Sequence, residues 1–334
     1  MVSLSTVLCA CDILAAPTYL LLTAVVLASV VSPVLRVLSS HGKTRSNAES
    51  SSHSNIEQAV RGFDVPAIFH RICRFVASNE VFLVNKRLFL HFYVAGIVFT
   101  IALWAVGQEG VEINNILELK HLPVVLLLLH LCRRAYECIY VHAWSSGKMH
   151  AGGYILGLLH YAFVPFVVVD SDWCCGKDIA VSYQPSKRAI LQMALGALLC
   201  CYGQTQQHVH HKILAELRKG GTRSSLEQYS IPSGRWFSYM SCPHYFAEIL
   251  IYASFVIMLH PLAVYVPSCE TLNLINLPAS TASNLELRSY KHLVLSVWVA
   301  TNLTVSARTT HNWYLNRFGS KYPRHRKAII PLIF

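Results

Sequence analysis

Long apolar stretches separated by short polar ones dominate the chain. Seven of them suit membrane helices, which need about 20 residues to cross a bilayer. They run from about Ile13 to Leu38, Leu88 to Val106, Leu122 to His142, Tyr154 to Val169, Ala189 to Gln204, Tyr245 to Val266 and Lys291 to Ser306. The first lacks the basic start and cleavage site of a signal peptide, which predicts an uncleaved helix. After it comes a Ser-, Asn- and His-rich stretch, Ser39 to Asn55, with the composition of a flexible linker. In Glu57 to Ala77 apolar and basic positions mix at near-helical spacing, which predicts an interfacial or re-entrant segment. The pattern divides the chain into residues 1–56 (first helix and linker), 57–120 (interfacial segment and second span) and 121–334, where spans alternate with polar segments. The expected fold is an all-α integral membrane protein with about seven transmembrane helices.

Composition agrees with this pattern. The chain is 54% hydrophobic and 13% charged, against roughly 25% charged in a soluble domain. Its formal charge of +11 therefore crowds into loops and the tail. Most of the 28 Lys and Arg follow spans one, three and five or lie in the tail. The positive-inside rule then puts the C-terminus in the cytosol and the N-terminus outside. Nucleic acid is excluded as a partner, because no soluble basic domain exists to present to it. The eleven cysteines are scattered without a CxxC pair, which predicts reduced or lipid-buried thiols and neither a disulfide framework nor a zinc site.

Polar groups inside spans are costly and mark function. Span three reads LLLLHLCRRAYECIYVHAW. Arg133 or Arg134 and Glu137 stand three or four residues apart and face one another across a turn. They form either a neutralised pair that fixes packing or a polar pocket, in which Tyr136 or Glu137 is the candidate to give a proton or hydrogen bond to a substrate oxygen. His91 and Tyr93 sit near the start of span two, and His91 is a weaker candidate for the same role. Glu248 lies one turn inside span six and requires a partner, either a cation from the tail or a ligand.

The stretch between spans five and six carries a basic helix. His208, His211, Lys212, Ala215, Arg218 and Lys219 share its polar face, and Val209, Ile213, Leu214 and Leu217 its apolar side. Gly220 and Gly221 end it. Tyr229 then precedes the turn Ile231-Pro232-Ser233-Gly234, followed by Trp236 and Phe237. In the last stretch, Arg308 to Phe334, aromatic residues interleave with six basic ones and Ile329 to Phe334 closes the chain with apolar residues. Such an end docks back onto the body. Alone it reads as a basic membrane tail; beside the basic helix, the aromatic turn and Glu248 it reads as a clamp for a polyanionic, partly planar ligand. No GxGxxG, Walker or GxSxG motif occurs. His208-Val209-His210-His211 looks like part of a di-iron histidine box, but the other histidines are dispersed, so no metal is expected.

QQHVHHKILAELRK, the block from Tyr229 through IPSGRWFSYMSCPHYFAEILIY, and the terminal KYPRHRKAIIPLIF together resemble the steroid 5α-reductase family. RRAYECIYV and HVHHKILAELRK resemble its polyprenol (polyprenal) reductase branch. The resemblance spans roughly Leu129 to Phe334. It implies a seven-helix fold in the endoplasmic reticulum membrane, binding NADPH between cytosolic loops and helix ends. It also implies hydride transfer to an activated double bond of a polyprenoid lipid, on the route to dolichol and N-glycosylation. The implied cofactor residues are Gln207, His211, Arg218, Tyr229, His244, Glu248, Tyr314, Arg326 and Lys327. Departures are visible: Gln207 and His211 stand where steroid-reducing members have Asn and Asp, Ser230 replaces an Arg, and His244 replaces Asn. The proton-donating Tyr of the steroid enzymes falls near Leu131 and their span-two Glu near His91 or Phe92, which favours a non-steroid substrate. Steroid 5α-reduction, an isoprenylcysteine-type methyltransferase and a non-enzymatic multi-pass protein touching membrane lipids are the competing readings.

Overall fold

A computed structural model of the chain describes residues 4–31, 82–107, 119–144, 148–169, 186–219, 229–259 and 290–330. The expected linker Ser39–Asn55 and interfacial segment Glu57–Ala77 lie outside the described residues, as do Gly220, Gly221 and the last four residues. The described chain is mostly helical, with seven α-helices: α1 (Leu4–Val31), α2 (Phe89–Gly107), α3 (Leu122–Tyr136), α4 (Ala151–Val168), α5 (Lys187–Lys219), α6 (Pro243–Leu259) and α7 (Lys291–Phe318). Among the described residues, three helical segments are long and apolar enough to cross a membrane: Ala10–Ala28, Lys86–Val106 and Ala151–Val168. The other helices mix apolar faces with the polar residues described below.

Local sequence explains the helix ends. Pro123 occupies the first turn of α3 and Pro243 the first position of α6, where a missing N–H costs nothing. Ser186 Oγ accepts from Ala189 N at 3.1 Å and starts α5, and His150 Nδ1 accepts from Gly152 N at 3.0 Å and starts α4. Gly319, at φ +53°, ends α7 in the left-handed region that glycine tolerates. Contrary to an all-α expectation, β1 (Leu83–Asn85) pairs antiparallel with β2 (Lys148–His150), Leu83 opposite His150. This clip sets the start of α2 beside that of α4.

Two helices run further than the apolar pattern. α5 continues without a break from its apolar half through the basic segment, and α7 carries on past Ser306 to Phe318. α3 ends in one π-helical turn, Glu137–Val141, a geometry that recurs at functional sites.

Close packing of α5 on α6 depends on glycine. A Cβ on Gly203 would stand 2.9 Å from Ile251 Cγ1 and 3.1 Å from the Ala247 carbonyl oxygen, and one on Gly196 would stand 2.3 Å from Met258 Cγ. Small residues let backbones approach in this way where lipid offers no hydrophobic drive between helices. Polar links tie the bundle together. Trp298 Nε1–H donates to His160 Nδ1 at 3.1 Å, so the ring proton sits on Nε2 and points at Tyr252 Oη, 3.0 Å away. Tyr19 donates to the His160 carbonyl at 2.9 Å. Lys291 pairs with Asp12 at 2.8 Å and donates to the Phe166 carbonyl at 2.7 Å, joining α7 to α1 and α4.

Candidate active site

The C-terminal end of α3 meets the second half of α5 around one carboxylate. Glu137 is fully buried at the start of the π turn. Its Oε1 accepts from Arg133 Nη1 at 2.5 Å and from His208 Nδ1–H at 2.7 Å. Its Oε2 accepts from Arg134 Nη1 and lies 2.8 Å from His211 Nδ1. Arg133 also donates to Gln207 Oε1, and the Gln207 amide donates to Glu248. His130 lies between Arg133 Nη2 (3.3 Å from Nδ1) and Glu248 Oε1 (3.4 Å from Nε2), so its Nε2–H faces the carboxylate. Two carboxylates, two guanidiniums, three imidazoles and an amide thus form one connected network across α3, α5 and α6. Buried charges persist only when paired and hydrogen-bonded in this manner.

Several candidates join this network. Glu137, His211, Gln207 and Glu248 belong to it, and the His244 ring lies 5.5 Å from that of His211. The partners of Glu248 come from α3 and α5 and not from the tail. Glu137 itself is placed as an acceptor. With two guanidiniums on it, it is an ionised anchor and not the proton donor the sequence suggested. Tyr136 is 52% exposed and packs on Tyr140, with ring centroids 5.1 Å apart, on the outer face of α3. The structure does not bring it to the cluster. His91 is also exposed, its Nδ1 2.9 Å from Tyr154 Oη at the entry of α2.

The polar face of α5 divides between interior and surface. His211 and Ala215 turn inward, together with Gln207 and His210, whereas Lys212, Arg218 and Lys219 of the same face are exposed. Arg218 donates to the Ala143 carbonyl at 2.8 Å, beside the end of the π turn. His210 Nδ1–H donates to the Gln206 carbonyl at 2.6 Å, and its ring stacks on Trp236 at 5.2 Å, which fixes the aromatic turn to α5.

The tail docks as expected. Lys327 N–H donates to the Tyr239 carbonyl at 3.0 Å, Ser241 N–H to the Lys327 carbonyl at 2.8 Å, and Cys242 N–H to the Ala328 carbonyl at 3.1 Å. Ile329 is fully buried against the group formed by Cys242, Ala307 and Ala328. Arg326 turns inward: Nη1 donates to the Pro232 carbonyl at 2.8 Å, and the guanidinium carbon lies 5.5 Å from the Tyr322 ring centroid. Its buried Nε has no partner among the described residues. Tyr314 stacks on Tyr322 with centroids 5.3 Å apart, and Tyr229 meets Trp313 edge-on at 4.9 Å. The cofactor candidates therefore fall into two groups, Gln207, His211, His244 and Glu248 in the network and Tyr229, Tyr314, Arg326 and Lys327 under the tail, with Arg218 at the exposed end of α5.

Ionisation follows the burial. Burial, and after it the Arg134 charge, hold the His211 imidazole down to about 3, so it is neutral near pH 7. Burial with the nearby Lys327 charge lowers His311, whose Nδ1 lies 2.6 Å from Ser241 Oγ. Burial raises the Tyr314 and Tyr322 phenols, keeping both as neutral hydroxyls. Ligand atoms of Glu137, His142 and His211 come within 4.8 Å of one another, a spacing compatible with a metal. The cation among them is Arg134: its Nη1 contacts Glu137 and lies 2.8 Å from His211 and 3.5 Å from His142. A divalent ion there would meet a fixed positive charge.

Sequence reasoning noted His130, His208 and Tyr93 among the polar residues but gave none of them a role in the site. His130 precedes Arg133, and His208 precedes His211, by one helical turn, a signal that was available. Tyr93 had none, because Arg134 reaches it from another helix.

Residues 171–283 and 280–334 match the family described as 3-oxo-5-alpha-steroid 4-dehydrogenase. The chain belongs to that family. The match covers α5, α6, α7 and the tail of this 3-oxo-5-alpha-steroid 4-dehydrogenase family member, and the α3 cluster lies before it. Relatives with similar sequences include the polyprenal reductase of Homo sapiens, 28% identical over 77% of this chain and 80% of that protein. Polyprenal reductase 1 of Arabidopsis thaliana is 28% identical over 77% of this chain and 83% of its own length. That of Caenorhabditis elegans is 30% identical over 64% and 60%. Where steroid-reducing family members are expected to place a Tyr, this chain has Leu131, fully buried and packed on Gly96.

Proposed function

We propose that the chain is an NADPH-dependent reductase that saturates the α-isoprene double bond of polyprenal, a step towards dolichol for protein N-glycosylation. The observation that carries this reading is the similarity, over three quarters of the chain, to animal and plant proteins named polyprenal reductase. The aldehyde is the sensible acceptor. Hydride adds to an alkene only when charge can move onto a conjugated oxygen, so the alcohol requires separate redox steps. Leu131 removes the phenol expected of a steroid-reducing site and speaks for a different substrate.

The residues fit a phosphorylated dinucleotide. Arg326 is a buried cation with an orphaned Nε, Arg218 and Lys327 add charge for phosphate, and Tyr229 adds an aromatic ring, while Tyr314, buried and stacked on Phe318 and Tyr322, stiffens the tail that carries Arg326. Gln207, His211, His244 and Glu248 would hold the polar groups at the other end. Bound NADPH supplies the hydride. The chain's own residues orient it and keep water from the buried network, with Glu137 fixing Arg133, Arg134, His208 and His211 in place. Seven spans, a cytosolic tail and residence in the endoplasmic reticulum complete the proposal, with the isoprenoid tail accommodated among apolar helices.

The test is NADPH oxidation by purified protein in detergent, given polyprenal, polyprenol or testosterone. Oxidation is expected with polyprenal. Oxidation with testosterone alone, or with none of the three, removes the polyprenoid reading.

A further inference from the structure

One buried donor beside the network has no use in it. Tyr93 is only 5% exposed. Its hydroxyl oxygen accepts from Arg134 Nη2 at 2.7 Å, and the guanidinium carbon lies 5.0 Å from the ring centroid. The hydroxyl proton of Tyr93 meets no acceptor among the described residues. The hydroxyl is held through its oxygen alone, and a buried O–H left free to donate points to an acceptor that arrives from outside. Its neighbour Tyr161 presents a ring edge-on at 5.2 Å, and Phe92 stacks on the same Tyr161 at 6.0 Å. On its other side Arg134 touches Glu137 and His211. Tyr93 therefore stands one guanidinium away from the expected cofactor wall, among aromatic rings that suit an isoprenoid. Neither Glu137, Tyr136 nor His91 matches it. The first only accepts, the second faces outward and the third lies at the exposed entry of α2.

The geometry points to Tyr93 as the catalytic donor to the carbonyl oxygen of an α,β-unsaturated isoprenoid aldehyde, with Arg134 as the positioning cation behind it. This rests on the reductase reading above. As hydride from the reduced nicotinamide dinucleotide bonds to the β-carbon, the alkene pair shifts towards the carbonyl carbon. The carbonyl π pair moves onto oxygen. Tyr93 gives its O–H proton to that oxygen and is left a phenolate against Arg134, whose charge-assisted hydrogen bond favours the anion. The enol then takes a proton from water at the α-carbon and returns its O–H proton to Tyr93. One hydride and one solvent proton are consumed, and the saturated aldehyde leaves.

The test compares full-length wild type, Tyr93→Phe and, as a control on the outer face of α3, Tyr140→Phe in detergent. The probe is farnesal, a short aldehyde of this class, bound with the oxidised dinucleotide. Its carbonyl stretch should fall in frequency on wild type and on Tyr140→Phe but not on Tyr93→Phe. Turnover with polyprenal should drop about a hundredfold or more in Tyr93→Phe alone, while NADPH affinity measured by fluorescence stays unchanged. A carbonyl shift that survives in Tyr93→Phe, turnover that survives, or loss of NADPH affinity in step with turnover overturns the assignment. If Tyr93→Phe does not fold, isosteric 3-fluorotyrosine at position 93 decides: a stronger donor must move the carbonyl stretch further, and an unmoved stretch overturns the assignment. Failure of the parent reading looks different, because wild type then oxidises no NADPH with polyprenal whatever the carbonyl shift.

Discussion

Glu137 neutralises two guanidiniums and receives two imidazoles, so its removal exposes everything it holds. In Glu137→Ala, Arg133 and Arg134 become uncompensated buried charges, which should destabilise the fold by about 3–5 kcal/mol. Thermal unfolding in detergent reads this directly, and unchanged stability would show that the cluster is solvated. His211 makes the same region sensitive to acid. Its folded-state pKa is depressed to about 3, against about 6.5 for an unperturbed histidine. Between those values the unfolded chain binds more protons than the folded one. The His211 contribution is therefore complete above pH 6.5 and declines as pH falls towards 3. Melting temperature should fall between pH 7 and pH 5, and His211→Asn should flatten that slope. The ion cluster was legible in the spacing of Arg133, Arg134 and Glu137. Its chemistry was not, because only the arrival of α5 decides that Glu137 accepts four contacts and has no proton to give. Tyr136 shows the limit of adjacency: one residue along a helix is about 100° around it, and that turns Tyr136 outward.

Among the elements, α5 governs the site. Its glycines set how near α6 lies, and that distance lets Gln207 reach Glu248. Gly203→Ala sets a methyl group against backbone at Ala247 and Ile251, which cannot move aside, so the helices must separate. It should cost about 1–3 kcal/mol and weaken NADPH binding. Gly196→Ala meets chiefly the flexible Met258 side chain, although the Ser254 carbonyl lies 3.1 Å away, and should weaken binding less. Paired unfolding and fluorescence titrations would detect the reverse order, which would argue against this account. Helix boundaries were legible for α2, α3 and α4 to within a few residues. α5 and α7 were cut short because an apolar pattern reports where lipid stops. A helix stops only where capping or glycine ends its hydrogen bonds, as at Gly319.

At the scale of the whole molecule, the last residues close the structure on itself. Arg326 holds the Pro232 carbonyl, Lys327 and Ala328 pair with residues 239–242, and Ile329 fills an apolar hollow. A chain ending at Ala328 should keep its helical content by circular dichroism yet lose NADPH binding. Retained binding would reduce the tail to packing. The docking of this tail was legible from apolar residues running to the chain end. That Arg326 spends a hydrogen bond on a carbonyl was not, since a basic residue beside aromatics reads the same whether it faces a ligand or a turn.

This closure also has a bearing on how the protein is made. The residues that lock the aromatic turn follow it by as many as 94 positions. The turn is therefore synthesised well before its lock and must wait open during translation, so nascent chains halted before Arg326 should have formed helices while the turn stays accessible to protease.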